Sequence, residues 1–472
     1  MKSARLWGLV LGFAAFQLWL AAALPLVEDE AYYQLWASVP SAGYYDHPPM
    51  VAWAIAAGEW LFGPTRLGVR AASVLMGMII TLLTWRIAWR VSGDEDTAMR
   101  AALWGKVMLP IGFAGFVATP DPASVMFWTA ATWALVEVIH GGRMAWWLAV
   151  GLFAGLGVLS KFTNLFFGLA LVIWLLASPD GRRWVSRWQV WAGAALGLLV
   201  LVPFAMWNAS HGWVGLERQF GRVGSAASFS LMRVVVFALS LALLVTPLVS
   251  VQVVQGFFSR RLPRLMIWLI APVMAYLSWH ALRHEAGAQW LVPIFPTLAV
   301  IAALATDRPR WIARWAAPVG GVLGLAVLAA GFWPGKVLIP GHNPFTQVRG
   351  WDPVIAEIKA RARKHGVAWI ATNAYGLTGQ LNHYLGQGIP VWSVIQPKRY
   401  LFRGPLPPAL CNQPALFISR QRFAGGVPYF ARTRPLPDIL RKEGDTVLMR
   451  YYVARVQGLT NTPYTSCRSR EK

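Results

Sequence analysis

Four acidic side chains and one histidine lie in residues 28–47, a stretch near the N-terminus between two apolar runs. Residues 28–30 are Glu-Asp-Glu, and Asp46-His47 directly precedes two prolines. A carboxylate can take a proton from an attacking hydroxyl, and a histidine can donate to phosphate or ligate a metal. We therefore expect proton transfer or anion binding here, although acids in a first helical turn also serve simply as caps.

The same stretch predicts two surface helices. Apolar residues at positions 32, 35, 36 and 39 have helical spacing, which predicts an amphipathic helix over residues 28–39. The Pro-Pro pair predicts extended residues before it and a second apolar helix over 50–62, which can lie along a membrane surface. The aromatic side chains of this stretch, Tyr45 among them, form either an interfacial belt or a stacking surface for a sugar ring.

The composition is that of a membrane protein. Of 472 residues, 56% are hydrophobic and 13% charged, with a mean hydropathy of +0.47. A soluble domain carries about twice that charged fraction. The 27 Trp and 23 Phe exclude a disordered chain, and 2 Cys exclude a disulfide scaffold.

Eleven apolar runs are long enough to predict membrane spans. They cover residues 6–26, 67–91, 98–118, 122–140, 144–160, 162–177, 188–207, 234–256, 265–282, 289–305 and 315–333. With the N-terminus inside, the inner loops hold fifteen Lys and Arg against seven in the outer loops. The positive-inside rule then favours a cytoplasmic N-terminus, and an odd number of spans puts the C-terminal domain outside.

The composition of the chain changes after residue 335. Residues 336–472 lack a spanning run and hold 20 Lys and Arg against 6 Asp and Glu. The pattern predicts a helix over 352–364 and strands over 367–372, 415–419 and 446–453. The fold class is therefore an all-α polytopic membrane domain, residues 1–335, followed by a small basic α/β domain, residues 336–472.

This topology brings ionisable residues from separate loops to the outer face, which suggests one site. Lys161 is the first choice to neutralise an anionic group there, with Arg66 and His47 as further cations, although Lys161 could equally snorkel to lipid headgroups. A divalent metal is possible, with His284 and Glu285 joining Asp46, His47 and Asp121 as scattered ligands. Inside the membrane, Lys106 and Glu137 could meet as a structural pair. Further ionisable residues assigned to the outer face are Glu59, Arg70 and Arg283.

Several motifs resemble one family. Residues 29–33 read Asp-Glu-Ala-Tyr-Tyr and residues 43–50 read Gly-Tyr-Tyr-Asp-His-Pro-Pro-Met. These strings resemble the first-loop signature of bacterial GT-C glycosyltransferases related to protein O-mannosyltransferases and the lipid A aminoarabinose transferase. The similarity continues at residues 119–122, 159–161, 284–285 and 290–293, and it covers most of residues 1–335.

The resemblance implies a GT-C-like fold and sugar transfer from a polyprenyl-phosphate carrier at the outer face of a bacterial inner membrane. It implies Asp29 as the catalytic base, with Glu30 beside it, and inversion at the anomeric carbon if the transfer is one displacement. The residues expected to bind substrate are Tyr45, Asp46, His47, Arg66, Asp121 and Lys161. Some relatives carry a Lys where this chain has His47, which leaves the role of His47 open.

The partners expected are the polyprenyl-phosphate-linked sugar, membrane lipid and an acceptor. The basic outer domain favours an anionic glycolipid or lipopolysaccharide precursor as that acceptor, and a protein acceptor remains open. Neither a nucleotide-binding motif nor a nucleic-acid partner is indicated. The rival classes are a transporter or lipid flippase, which the absence of internal repeats disfavours, and a non-catalytic anchoring subunit.

The two cysteines, Cys411 and Cys467, both lie in the predicted outer domain. Thiols exported to an oxidising compartment can persist as a disulfide. We therefore predict a Cys411–Cys467 bridge closing a loop of 56 residues. The alternative is a pair of buried free thiols.

The predicted topology can be tested with reporter fusions. A reporter fused after Arg183 should read cytoplasmic, because the basic cluster at 182–187 marks an inner loop. A reporter fused after Lys336 should read periplasmic. Alkaline phosphatase and fluorescent-protein activities measure the two sides, and both fusions on the same side would contradict the prediction.

Overall fold

The structure is a computed structural model that describes residues 2–221, 228–305, 309–332, 344–386, 388–423, 426–460 and 467. It divides into two compact units. The helical unit comprises residues 1–22 and 47–328, and the sheet unit comprises residues 23–46 and 329–472. Residues 23–46 of the first predicted outer loop therefore pack with the C-terminal part of the chain. The domain boundary predicted at residue 335 lies outside the described residues.

Helices make up the chain before the sheet. In chain order they are α1 (Lys2–Ala23), α2 (Glu28–Ala37), α3 (Met50–Phe62), α4 (Arg66–Ser92), α5 (Glu95–Val107), α6 (Pro120–Gly141), α7 (Trp146–Ser160), α8 (Leu165–Ala177), α9 (Pro179–Val185), α10 (Trp188–Ser210), α11 (Val214–Phe220), α12 (Leu231–Val245), α13 (Pro247–Phe257), α14 (Arg264–Arg283), α15 (Phe295–Ala303) and α16 (Arg310–Phe332). Both first-loop helices predicted from the sequence are present, α2 ending two residues early.

The number of membrane spans differs from the prediction. Within the described residues, α1, α4, α6, α10, α14 and α16 are long and apolar enough to cross a membrane, and the total reaches 8 if the bent pairs α8–α9 and α12–α13 are one span each. The predicted eleven is not confirmed. Every predicted run contains helix, but α5, α7 and α15 are shorter than the roughly 20 residues that a span needs.

Proline explains part of this difference. α5 ends at Val107 before a π-helix, Leu109–Phe113, that contains Pro110, and Pro247 begins α13 after a bend of 103°. Hydropathy runs smoothly across such breaks because proline interrupts helical hydrogen bonds without lowering the apolar content enough to end the run. Apolar runs therefore overcount helices of spanning length.

The predicted pairing of Lys106 with Glu137 is wrong. The Glu137 carboxylate accepts from Arg86 Nε at 3.1 Å and lies 3.0 Å from Arg90 Nε. These two arginines lie four residues apart on α4, so one turn of that helix presents both to α6. Lys106 is buried, and its Nζ lies 5.6 Å from the centre of the Phe13 ring. Its neighbour is thus an aromatic face rather than an acid.

The sheet unit contains a five-stranded mixed sheet. The strands are β1 (Trp369–Thr372), β2 (Val391–Ser393), β3 (Ala415–Ser419), β4 (Phe430–Glu443) and β5 (Thr446–Leu459), in the spatial order β2-β1-β3-β5-β4. β1 is parallel to β2 and β3, and β5 is antiparallel to β3 and β4. The helices are α17 (Trp351–Lys364), α18 (Tyr375–Leu385) and α19 (Pro408–Cys411).

Both faces of the central strands are covered. Ile370, Leu416 and Ile418 pack with α17 and α18, whereas Trp369 and Phe417 pack on the opposite face with the segment that leads into α19. β1, β2 and β3 are buried at every residue, as expected for strands covered on both sides. The predicted α/β character is confirmed, and the predicted helix and three strands all occur.

The predicted disulfide is also confirmed. Cys411, the last residue of α19, is bonded to Cys467 with a Cα–Cα distance of 5.4 Å. The bridge holds Cys467 against the apolar cluster that contains Trp369, Phe417 and Phe430.

Removing this bridge should destabilise the sheet unit. The Cys411→Ser, Cys467→Ser double variant should lose about 2–5 kcal/mol of unfolding free energy, because the unfolded chain regains the freedom of the 56-residue loop. Thermal unfolding of the purified protein in detergent, with and without reductant, measures the loss. An unfolding temperature that is identical in the two proteins and insensitive to reductant would contradict the expectation.

Candidate acid cluster and active site

The three acids that open α2 have different partners, all within the sheet unit. Glu30 is fully buried and accepts the backbone N–H of Val27 at 3.0 Å, so it caps the helix. Asp29 Oδ1 accepts the Tyr375 hydroxyl at 3.1 Å, and Glu28 is ion-paired with Arg420. Of this predicted catalytic pair, Glu30 therefore caps the helix, whereas Asp29 has a tyrosine hydroxyl as its hydrogen-bond partner.

Asp46 lies in the same cluster. Its Oδ2 accepts the Tyr32 hydroxyl at 3.1 Å and is ion-paired with Arg399. The Arg399 guanidinium lies 4.7 Å from the centre of the Tyr375 ring and 5.6 Å from that of Tyr45. Arg399 therefore joins Asp46 to the aromatic side chain that binds Asp29.

A close contact between α2 and α18 builds this arrangement. A Cβ on Gly376 would lie 2.3 Å from Glu28 Oε2, and one on Gly379 would lie 2.6 Å from the backbone nitrogen of Tyr32. Gly379 is thus required for the close approach of the two helix backbones, whereas a side chain at position 376 would displace the Glu28 carboxylate. Gln380 Nε2 then donates to the Leu26 carbonyl at 2.8 Å.

Burial raises the pKa of Asp29, and the neighbouring charges of Glu28, Asp46 and Glu30 add to this, while the Tyr375 hydrogen bond opposes it. Burial also raises the pKa of Tyr375, assisted by the Asp29 charge. Tyr375 therefore stays protonated and acts as the donor at neutral pH. A carboxylate with a raised pKa is a stronger base than an ordinary surface Asp, which suits it to proton abstraction.

The aromatic side chains of α2 are packed inside the sheet unit. Tyr32, Trp36 and Tyr44 are each at most 2% exposed, and the Trp36 and Tyr44 rings stack with centres 4.4 Å apart. Burial raises the pKa of Tyr44 to about 12. They are core residues rather than a belt or a stacking surface, and Tyr45 is the half-buried aromatic residue of the motif.

The helical unit holds the other predicted binding residues. Lys161 Nζ lies 2.6 Å from Asp121 Oδ1, which joins the ends of α7 and α6. Arg66 begins α4 and is half-buried, as is His47 just before α3. Arg70 is 1% exposed and donates to the Ala21 carbonyl at 3.1 Å, which indicates a structural role.

The structure lends no support to a metal site. Within the described ranges, no three His, Cys, Asp or Glu side chains form a group that could hold a metal ion. Glu285 is exposed, and the His284 ring packs 5.1 Å from the His280 ring, centre to centre. A metal site on His284 and Glu285 stays a prediction from the sequence.

An apolar cavity of about 440 Å³ lies between α7, α8 and α10. α7 and α10 touch along one wall, since a Cβ on Gly151 would lie 1.8 Å from the Gly193 carbonyl oxygen. Asn164, which donates to the Ser124 carbonyl at 3.1 Å, is the polar residue in the lining and follows Lys161 by three positions. This volume and lining suit an apolar chain.

Tyr375, Arg399 and Arg420 were not anticipated from the sequence. They lie 329 or more residues after the first-loop acids, so local spacing could not connect them. One sequence feature could have indicated Tyr375. The Gly-x-x-Gly of residues 376–379 lies on one face of a helix and permits close helix contact, and a tyrosine precedes it.

Comparison with known proteins places this geometry in context. The family model described as dolichyl-phosphate-mannose-protein mannosyltransferase matches residues 46–207. The lipid A galacturonosyltransferase RgtD of Rhizobium johnstonii is 25% identical over 398 residues, which are 80% of this chain and 82% of the relative. An undecaprenyl phosphate-alpha-4-amino-4-deoxy-L-arabinose arabinosyl transferase of Pseudomonas aeruginosa is 31% identical over 34% of this chain and 30% of its own length.

The solved structure of ArnT from Cupriavidus metallidurans, bound to undecaprenyl phosphate, matches with a TM-score of 0.62 and 16% identity. The match covers 94% of this chain and 97% of that chain. This chain has the ArnT fold. The resemblance predicted from the motifs is confirmed, and with its apolar helices the chain is a multi-pass membrane protein.

Proposed function

We propose that this protein is a glycosyltransferase that moves a sugar from a polyprenyl-phosphate carrier to an anionic glycolipid of the lipid A type. The observation that carries the proposal is the similarity to a lipid A galacturonosyltransferase, because it extends over 80% of this chain and 82% of the relative. The ArnT fold supports it.

In the proposed reaction, Asp29 takes the proton of the acceptor hydroxyl. The hydroxyl oxygen bonds to the anomeric carbon while the bond from that carbon to the phosphate oxygen breaks. The polyprenyl phosphate leaves with the bonding electron pair. A single displacement inverts the anomeric carbon, and a phosphate leaving group needs no separate acid.

Lys161 is the proposed partner of the carrier phosphate, because a charge-assisted contact offsets the charge that develops on it. Its ion pair with Asp121 holds the ammonium group in place. We assign the isoprenoid chain to the apolar cavity between α7, α8 and α10. Tyr45, Asp46, His47 and Arg66 remain proposed substrate-binding residues.

We place the reaction at the outer face of the bacterial inner membrane, with the N-terminus cytoplasmic and the sheet unit periplasmic. The distribution of Lys and Arg among the loops of the eleven spans predicted from the sequence supports this orientation. The Cys411–Cys467 bridge also supports it, because disulfides persist in oxidising compartments.

A protein acceptor is the second candidate. It is favoured by the mannosyltransferase family model that matches residues 46–207. Purified protein in lipid, offered polyprenyl-phosphate sugars with either lipid A or unfolded polypeptide, distinguishes the two by mass spectrometry of the products. Transfer to polypeptide alone would overturn the glycolipid proposal. Transfer to neither acceptor would contradict the proposed transferase activity.

Asp29→Asn should lower kcat by about 10²–10⁴-fold, because the amide keeps the shape and cannot accept a proton. The measurement is turnover with saturating donor and acceptor. Asp445→Asn, an exposed carboxylate in the β4–β5 turn, is the matched control and should keep full activity. Near-normal turnover of Asp29→Asn would exclude Asp29 as the base.

Lys161→Ala should raise the KM for the donor about tenfold with little change in the KM for the acceptor, because its contact is with the carrier phosphate. Asp121→Asn keeps the ammonium group and should raise the donor KM less. Steady-state kinetics with each substrate varied in turn tests both variants. An equal rise in both KM values for Lys161→Ala would argue against a phosphate contact.

A further inference from the structure

We propose that Tyr375 and Arg399, which lie far from the first-loop motif in sequence, are positioning residues for the transfer. Tyr375 orients the Asp29 carboxylate, and Arg399 holds both Tyr375 and Asp46 in place. The proposal rests on the proposed role of Asp29 as the base. It gives the C-terminal part of the chain a role in catalysis that acts through the orientation of Asp29.

The geometry around Tyr375 is fixed on several sides. The residue begins α18, and its hydroxyl donates to Asp29 Oδ1 at 3.1 Å. Its ring has Arg399 4.7 Å away and the edge of Tyr32 5.1 Å away, measured to ring centres. The Tyr375 side chain is 36% exposed, and these two ring contacts favour the orientation in which its hydroxyl donates to Oδ1. Oδ2 is then the oxygen that accepts the substrate proton.

Arg399 is held equally firmly. Its Nε donates to Gln396 Oε1 at 2.7 Å, and its backbone carbonyl oxygen, 3.2 Å from the Tyr32 hydroxyl, shares the single proton of that hydroxyl with Asp46 Oδ2. The guanidinium is ion-paired with Asp46, and the charge of Asp46 would otherwise raise the proton affinity of Asp29 further. Arg399 thus contacts the ring of Tyr375 and neutralises the charge of Asp46.

The acids of the cluster differ in one respect. Asp46 is paired with Arg399 and Glu28 with Arg420, and both partners are cations. Asp29 has an uncharged tyrosine as its hydrogen-bond partner. A cation would suppress the basicity of Asp29, whereas a hydroxyl fixes its orientation at smaller cost in proton affinity. The cluster therefore leaves one carboxylate oriented and basic.

Charged and titratable groups face Asp29 from every element around it. They are Glu28 and Glu30 of α2, Asp46 of the loop, Tyr375 of α18, and the Arg399 and Arg420 side chains paired with those acids. The base must be deprotonated to act, so activity falls as the pH drops through the pKa of Asp29. Because the Tyr375 hydrogen bond lowers that pKa, losing it must move the acid limb of the pH profile to higher pH.

The first experiment is the pH profile of Tyr375→Phe. Phenylalanine keeps the ring contacts and removes the hydroxyl. We expect the acid limb of kcat to move up by about one pH unit, and kcat at its optimum to fall about tenfold with the donor KM unchanged. Tyr452→Phe, a half-buried tyrosine of β5, is the matched control and should keep the wild-type profile.

The second experiment uses Arg399. Arg399→Gln removes the charge and should also move the acid limb upward, while Arg399→Lys keeps the charge and should bring the limb back toward wild type. Arg450→Gln breaks an exposed ion pair with Asp438 in the same unit and serves as the control. If Tyr375→Phe lowers the thermal unfolding temperature, its loss of activity could reflect lost stability. The Arg399→Gln and Arg399→Lys variants then test whether the cluster sets the pH dependence.

The outcomes separate the two proposals. An inactive Asp29→Asn together with an unshifted acid limb in Tyr375→Phe and Arg399→Gln overturns the positioning roles and leaves the base assignment standing. An active Asp29→Asn overturns the base assignment itself. A rise in donor KM with an unchanged acid limb would make Tyr375 a binding residue and would also overturn the proposal.

Discussion

The backbone contact between α2 and α18 is the constraint on which the acid cluster depends. Gly379 is the residue that lets the two helix backbones approach, because any side chain there would overlap the Tyr32 backbone, and Gly376 leaves room for the Glu28 carboxylate. The contact puts Tyr375 at Asp29 and Gln380 at the Leu26 carbonyl. A first-loop helix thereby becomes part of the C-terminal sheet unit, and its acids gain partners that are distant in sequence.

The basic character of the C-terminal residues has a local explanation as well as a long-range one. Burying carboxylates without partners is costly, and a chain that gathers Glu28, Asp29 and Asp46 must offset that cost. Arg420 offsets the cost of burying Glu28, and Arg399 offsets the cost of burying Asp46. Part of the positive charge that suggested an anionic acceptor is thus used inside the protein. The remaining exposed Lys and Arg are the ones available to an anionic surface.

Sequence patterns predicted elements whose partners are local and missed those defined by distant contacts. The Pro-Pro pair located α3, an amphipathic pattern located α17, and the buried strand β3 matched its predicted range. β4 was missed because Pro435 and Pro437 argue against a strand, and the structure accommodates them on the edge strand, with a register shift after Leu436. α18 was missed because its glycines lower helix propensity. The role of Gly376 and Gly379 is clear only from their contacts with α2.

The site residues divide in the same way. Residue type and a predicted shared outer face made Asp29, Asp46, Lys161 and Asp121 candidates, and the family resemblance implied their roles, but spacing predicted no pairing for any of them. The boundary between the two units falls between Asp46 and His47, inside the motif itself. Asp46, the acid paired with Arg399, is therefore the last residue of the sheet-unit segment, and His47 begins the second segment of the helical unit. Residues 43–46 of the motif thus belong to one unit and residues 47–50 to the other, so adjacent positions in the motif have partners in different parts of the chain.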